Sequence, residues 1–581
     1  MRPVVRVNQL GYLPDGPKRA TLVTRSAGPV PFTVRTTDGA TLGSGRSEPW
    51  PVRPEPTSGL DVHVLDLTGL TGSGVDLRVV TPEGTSHPFA VRPDLYRDLR
   101  ADALRFFRLM RSGDPVPEEA APGYGRPAGH LGRLPNRGDT AVRAWTGPDA
   151  ERLYPGWHEP GTFDVSGGWY DAGDYGKYVT SGAIAVWQLL STLDLLVRAG
   201  AAAQTSRFAA SLVEECRWQL DWLLRMQVGP GHRWAGMAFH RVHGADWSPM
   251  PGRADQDPTE RVLHRPSTPA TLQLAAAAAH AARLLGGTDP GYARRLLAAA
   301  TTAFAAAQRH PRLVPPDDHA RFGGGPYDDD RFDDDFYWAA AELWLATGED
   351  RYRRLVLGSP EHRTDPFDPA GFDCDRVSAP ARIDLALAGP TLDGHAAVVE
   401  SVRRGADRLL DLQARQPWGQ PYAPPAGWDW GSNGRLLNNL VVLGVAHLLS
   451  GDRAHRDAVA GGVDYLLGRN ALGQSYVTGY GSDFSRHQRT RQFGHDLDPA
   501  LPPPPAGALA GGANSRPAPD FPYDPRLVGR APQCCYLDEP TSEVTNDVCI
   551  RWNAPLVWVT TFLDLAAAAP TPATLRSRSS G

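Results

Sequence analysis

A small β-sandwich followed by a ring of paired helices is the fold class this sequence predicts. Three observations carry it. Up to about residue 92 the apolar residues fall in short runs separated by Gly, Pro and Asp turns. From Leu95 the apolar spacing becomes helical, at Leu99, Leu104, Phe106, Phe107 and Met110. Ala- and Leu-rich helical segments then alternate with long loops rich in Gly, Pro and aromatic residues, with little strand signal between them. At 581 residues the chain has room for one large domain and one smaller one.

The elements follow in order. Strands are predicted at Arg2–Val7, Ala20–Thr24, Pro31–Thr36, Val62–Leu67 and Val75–Val80, and the run Ser86–Pro93 closes the sandwich. Leu95–Met110 is the first helix. Further helices are predicted at Ser181–Ala199, Arg207–Gln227, Thr268–Leu285, Tyr292–Gln308, Asp335–Thr347, His395–Gln413, Leu436–Ser450, Arg453–Leu467 and Trp552–Ala567. Helix pairs joined this way form a toroid, with the site in the loops at one end. The domains are therefore expected at 1–92 and 93–569, with a polar, disordered tail at 570–581.

Composition narrows the function. A net charge of -5 and 22% charged residues, with no basic stripe, argue against a nucleic-acid partner. No stretch reads as long and apolar enough to span a bilayer. MRPVVRVNQLGY has no apolar core of signal-peptide length, so the chain as it stands is expected in the cytoplasm, or outside the cell if a leader has been removed. The five cysteines include no CxxC pair, which disfavours a disulfide framework and a cysteine zinc site. Sixteen Trp supply flat rings that suit sugar faces, although most belong in a core.

The stretch Asp164-Val-Ser-Gly-Gly-Trp-Tyr-Asp171-Ala-Gly-Asp174-Tyr-Gly-Lys-Tyr178 concentrates the chemistry. Two carboxylates, Asp171 and Asp174, stand three residues apart among glycines and rings. Such residues also make turns and helix caps. A carboxylate that activates water beside a stacked sugar is the reaction they would support.

Several motifs in order resemble glycoside hydrolase family 9, an inverting cellulase family with an (α/α)6 barrel often preceded by an immunoglobulin-like domain. They are VNQLGYLPDGPKRA at 7–20, DLYRDLRADALRFFRLMRSG at 94–113, DVSGGWYDAGDYGKY at 164–178, FYWAAAELWLATGEDRY at 336–352, WGSNGRLLNNLVVLG at 430–444, DYLLGRNALGQSYVTGYG at 464–481 and NDVCIRWNAPLVW at 546–558. The resemblance covers nearly the whole chain. It implies an (α/α)6 barrel preceded by an immunoglobulin-like β-sandwich, with Asp174 as general base and Asp171 holding the attacking water. An inverting enzyme keeps base and acid about 6.5–9.5 Å apart.

Two departures stand out. Where the family reads Asn-Glu before its last helix, this chain reads Asn546-Asp547, so the general acid falls to a side chain one methylene shorter. That removes about 1.5 Å of reach, and misplacement of that order can cost roughly a hundredfold in rate. Glu543, four residues earlier, is the second candidate acid, and Glu539 is another nearby. The family's His-His-Arg sugar-binding cluster is replaced by Ser485-Arg-His487-Gln-Arg489-Thr-Arg491. A gapless match puts Arg491 on the family Arg and Arg489 on a His, with His487 able to substitute after a local shift. This more basic loop is compatible with a modified or acidic sugar. Trp169, Tyr175, Trp428 and Trp430 are candidate substrate-stacking rings, with Trp145, Trp157 and Tyr422 as further ones.

No cofactor is required. The family's zinc ligands correspond to Ser112, Gly129, His130 and Tyr170, so no zinc is expected. A structural Ca²⁺ is a further expectation, in the run of Asp328, Asp329, Asp330, Asp333, Asp334 and Asp335. The resemblance points to Asp330, Asp334 and Asp335 as ligands, although Asp also favours helix starts. The leading expectation is an inverting β-glycoside hydrolase of β-1,4-glucan or gluco-oligosaccharides, cellulase-like, with its activity weakened if the shorter acid is poorly placed. An oligo- or polysaccharide is the expected partner. An intracellular exo-β-glucosidase or glucosaminidase, and a non-hydrolytic carbohydrate-binding or biosynthetic protein on the same fold, stay open beside it.

Overall fold

The computed structural model of the chain describes residues 2–133, 136–315, 322–325, 327, 329–518 and 521–568. The proposed tail at 570–581 and Asp328 lie outside them. The first domain is a two-sheet sandwich. One sheet runs in the order Val5–Arg6, Arg19–Val23, Val62–Asp66, Glu48–Pro49; the other runs Gly11–Tyr12, Phe89–Val91, Gly74–Thr81, Pro31–Arg35, Thr41–Arg46. Alternation explains the burial: in Pro31–Arg35 only Phe32 and Val34 point inward, against Leu65, Leu77 and Val79. The edge strand Thr41–Arg46 escapes a sequence reading because TLGSGR exposes both faces and carries two glycines.

Twelve helices build the ring of the second domain among the described residues. They are α1 (Arg97–Leu109), α2 (Val179–Arg198), α3 (Ser206–Arg225), α4 (Thr268–Leu285), α5 (Pro290–Arg309), α6 (Asp333–Thr347), α7 (Asp350–Gly358), α8 (Ser378–Leu387), α9 (His395–Ala414), α10 (Ser432–Ser450), α11 (Arg453–Leu466) and α12 (Ile550–Ala568). The even-numbered helices form the inner ring. Each packs on the next, and α12 closes onto α2. The odd-numbered helices lie outside. Outer helices are amphipathic, with Leu212, Cys216, Leu220 and Leu223 of α3 turned inward. Inner helices are buried almost all round, so α4 is buried at nearly every position.

That distinction corrects one expectation. By length and composition α2 could cross a bilayer, but it sits in the inner ring with most of its side chains buried in the protein core. Its apolarity serves packing. The helices α7 and α8 also went unread: α7 is short, and α8 carries Pro380, Arg382 and Asp384 without an amphipathic stripe. The inner ring buries charge as well. His280 Nδ1 lies 3.0 Å from Asp384 and 3.3 Å from Glu342, and these carboxylates push the imidazole up to about 9 against the opposing effect of burial.

Loops at one end of the ring hold a third sheet that the sequence signals did not reveal. Its order is Thr162–Phe163, Val142–Ala144, Arg261–Leu263, Arg241–Gly244, Lys177–Tyr178. Strands this short have no readable period. The sandwich docks beside the outer helix α11: Asn8 Nδ2 donates to Asp464 at 2.8 Å, Gln9 N–H to Leu467 O at 2.9 Å, and Trp418 Nε1 to Glu55 at 3.0 Å.

Candidate active site

The base-motif loop is anchored from below. Gly167 and Gly168 have φ of +86° and +74°, and a Cβ on Gly168 would meet the Trp222 ring at 2.6 Å. This turn directs Trp169 into the core, where its Nε1 donates to Glu215 at 3.2 Å. Lys177 is fully buried; its ammonium pairs with Asp139 at 2.7 Å and donates to Val165 O and Gly167 O, each at 2.8 Å. Asp139 also pairs with Arg261 at 2.8 Å.

The two carboxylates of the motif then part. Asp171 is 1% exposed and accepts from Ser181 Oγ and the Tyr327 hydroxyl; Cys549 Sγ stands 3.7 Å from both its oxygens. Burial pushes it up to about 6, with the Arg551 guanidinium opposing. Asp174 is half-buried and faces a cavity of about 320 Å³. Its Oδ2 accepts from Gly176 N–H at 2.9 Å and from the Tyr178 hydroxyl at 3.4 Å. Tyr178 and Tyr327 stack at 4.1 Å, so one ring pair bonds to both carboxylates, a feature without a sequence signal. Asp171 is not itself among the residues that line the cavity, but its chain neighbour Ala172 and its hydrogen-bond partner Tyr327 are.

The opposite wall comes from the segment before α12. A single turn, Glu543–Asn546, brings Glu543 and Asp547 to the same cavity. Asp547 Oδ1 accepts Gly173 N–H at 3.0 Å and Val548 N–H at 2.9 Å, which ties this acid to the base loop. Gly173 has no room for a side chain, because a Cβ would lie 2.7 Å from that same oxygen. Burial first, then the like charges of Glu543 and Asp174, raises Asp547 well above the usual carboxylate range. Glu543 pairs with Arg489 at 3.1 Å and is raised by burial. Glu539 instead pairs with Arg526 on the surface.

The 485–491 segment is held in place by Asp538, which accepts the N–H groups of Arg486 at 2.9 Å and His487 at 3.0 Å. Arg489 and Arg491 line the cavity. Arg491 donates to Gly173 O at 3.1 Å and Ser248 O at 3.0 Å, which fixes the base loop. His487 does not line the cavity; it pairs with Asp496 at 2.6 Å on the surface. With Arg435 paired to Asp375 and Arg551 to Asp373 as well, each cavity arginine already has an acceptor. Arg491 differs from the others in meeting backbone carbonyls and not a carboxylate.

The aromatic expectations are corrected in the same way. Trp430 lines the cavity, whereas Trp169, Tyr175 and Trp428 are packing residues. The Tyr175 hydroxyl bonds to Gly252 O, and Trp428 packs edge-on against Tyr422 at 5.1 Å. Trp145 and Trp157 belong to a separate cluster around Tyr154. The rings that complete the wall are Trp247, Phe521 and Trp552, with Phe521 edge-on to Trp430 at 4.7 Å.

Behind the site, Asp334 Oδ2 accepts Val377 N–H at 3.0 Å and Asp335 Oδ1 accepts Gln273 Nε2 at 2.9 Å. Asp334 Oδ1 and Asp335 Oδ2 are buried without a partner. Burial, with Asp334 adding to it, pushes Asp329 up to about 8; burial, with Glu361 adding to it, pushes Asp334 up to about 6. Asp330 is exposed, whereas Asp329 is half-buried and acts with Asp334 on Asp335. At the zinc-equivalent positions, His130 Nδ1 lies 2.7 Å from the Tyr170 hydroxyl and Nε2 lies 3.0 Å from Asp257.

Residues 96–560 match the model of glycosyl hydrolase family 9, and residues 1–86 match the cellulase N-terminal ig-like domain. The chain belongs to glycosyl hydrolase family 9. It is 46% identical to Endoglucanase C of Cellulomonas fimi over 592 residues, covering 98% of this chain and 53% of that protein. It is 35% identical to a cellulose 1,4-beta-cellobiosidase of Acetivibrio thermocellus, covering 97% of this chain and 67% of that protein. The chain thus spans about half the length of the first relative and about two thirds of the second. A metagenome-derived family 9 endoglucanase structure superposes with a TM-score of 0.82 at 29% identity, over 96% of this chain and 98% of that one. AaCel9A in complex with a cellobiose-like isofagomine gives a TM-score of 0.80 at 28% identity, over 97% and 100%.

Proposed function

We propose that this family 9 chain is an inverting hydrolase of β-1,4-glucan or gluco-oligosaccharides, with Asp174 as general base and Asp547 as general acid. One observation carries the reading. Two carboxyls from opposite ends of the ring's sequence, ahead of α2 and ahead of α12, meet in one cavity and are joined through Gly173. Asp174 takes a proton from water as the water oxygen bonds to the anomeric carbon. Asp547 gives its proton to the departing glycosidic oxygen. Trp430, Trp247 and Phe521 offer ring faces and edges to the apolar faces of sugars. The endoglucanase and cellobiosidase relatives support the β-1,4-glucan assignment.

The test is incubation of the folded protein with cello-oligosaccharides and a panel of aryl β-glycosides. Shorter β-1,4-linked products are expected. No product from any substrate overturns the reading. The cavity, at about 320 Å³, is near the low end of ligand pockets and favours short sugars. Release of single glucose units would place the activity at chain ends.

We also propose a structural Ca²⁺ at Asp334 and Asp335, with Asp329 beside them, because Asp334 and Asp335 each keep a buried, unpartnered carboxylate oxygen, the hard ligand that ion takes. The ion would neutralise the mutual repulsion of these carboxylates. It would also fix the start of α6 to the segment carrying Tyr327. Adding Ca²⁺ to chelator-treated protein is expected to raise Tm by several degrees; an unchanged Tm overturns this assignment.

A further inference from the structure

Glu543 lies in the cavity, yet the reaction as proposed does not use it. Its place is well defined. The turn Glu543–Asn546 puts it one helical turn before Asp547, and Arg489 holds its Oε2 at 3.1 Å. The same arginine is built into the acid segment, since Arg489 N–H donates to Asn546 O at 2.9 Å and the backbones of Arg489 and Asp547 form a parallel β-bridge. Asp547 is pinned on its other side by Gly173 N–H.

We propose that Glu543 is a positioning residue for the general acid: held by Arg489, it sets a fixed negative charge beside Asp547, so that Asp547 keeps its proton until the glycosidic oxygen arrives. The inference rests on Asp547 being the acid and goes beyond it, because it gives Glu543 a role distinct from a second proton donor.

The charges around Asp547 come from three segments. Asp174 faces it from the base loop. Glu543 faces it from its own segment, where the buried thiol of Cys549 stays neutral beside Asp171. Arg489 faces it from the 485–491 loop, where Arg491 also acts on Glu543. Among these, Glu543 contributes the largest charge effect on Asp547 and acts to retain the proton, while Arg489 opposes it. Burial favours the protonated form of Glu543, but its Oε2 is taken up by the Arg489 guanidinium, which opposes that effect and turns the carboxylate toward the arginine and not toward a leaving oxygen. A shorter acid whose Oδ1 accepts two backbone N–H groups gains most from such a neighbour, because those bonds favour the ionised form.

The experiment is the pH profile of kcat/KM for Glu543→Gln on an oligosaccharide with an unactivated leaving group. Losing the charge lowers the affinity of Asp547 for its proton, so the alkaline limb should move down by about one pH unit, a tenfold loss on that limb. Glu543→Asp, which keeps the charge, should restore most of the shift. A Gln profile with an unmoved alkaline limb, or with an equal collapse at every pH, overturns the inference; the collapse would make Glu543 the donor. Asp547→Asn separates this inference from the reading beneath it. If Asp547→Asn retains wild-type hydrolysis of that substrate, the acid assignment itself fails. If it loses hydrolysis while Glu543→Gln leaves the limb in place, only the role of Glu543 fails.

Discussion

Replacing Asp174 by Asn is expected to lower kcat by about 10²–10⁴-fold, the range that a positioned general base contributes. The change is nearly isosteric. The Asn carbonyl can still accept Gly176 N–H and the Tyr178 hydroxyl, so the loop should keep its shape. What is lost is the basic oxygen facing the cavity. Binding of a cello-oligosaccharide should therefore persist while turnover falls. Steady-state kinetics with calorimetric binding checks both halves. A kcat within a few-fold of wild type would remove Asp174 from the reaction.

Replacing Lys177 by Met is expected to cost about 3 kcal/mol of stability, the low end for breaking a buried ion pair. The low end applies because Asp139 keeps Arg261 as a partner at 2.8 Å. Burial pulls the ammonium down to about 8, against the pull of Asp139. Methionine fills similar volume but offers no donor to Val165 O and Gly167 O. These carbonyls belong to the turn that precedes Asp171, so the damage should also reach catalysis. Denaturant unfolding compared with wild type is the measurement. A loss under about 1 kcal/mol would show that the buried pair contributes little beyond what a well-packed apolar residue supplies.

Lys177 also shows where sequence reading reaches its limit. The motif around it located the base loop, because two carboxylates among glycines have a clear chemical use. The motif did not reveal which side chains face the cavity. Trp169 stands two residues before Asp171 yet points into the core, since the Gly167–Gly168 turn and the Trp222 ring leave it no other place. Tyr175 and Trp428, expected as sugar-stacking rings from the loops they lie in, are buried as well. Proximity in sequence names the loop; only backbone direction names the face.

Trp247, Phe521 and Tyr327 show the converse. They come from three loops distant in sequence from the acids and from one another, and meet at the cavity only because the inner ring closes. No local period or spacing encodes that meeting. The helices of the ring were more legible. Their length and apolar spacing reflect burial against two neighbours, and only α7 and α8, short or without a stripe, escaped. The acid half lay between these cases. Asp547 and Glu543 were visible as candidates, but the separate connections of Asp547 to Gly173 and of Glu543 to Arg489 are tertiary facts.

The central claim is that Asp174 and Asp547 act from opposite sides of one bond, base on water and acid on the leaving oxygen. Proton NMR of the first product formed from a β-1,4-linked cello-oligosaccharide tests it most directly, read before mutarotation blurs the anomers. Direct displacement by water predicts the α-anomer at the newly formed reducing end. A β-anomer as first product would mean a covalent intermediate and retention, and would contradict the assignment of both carboxylates.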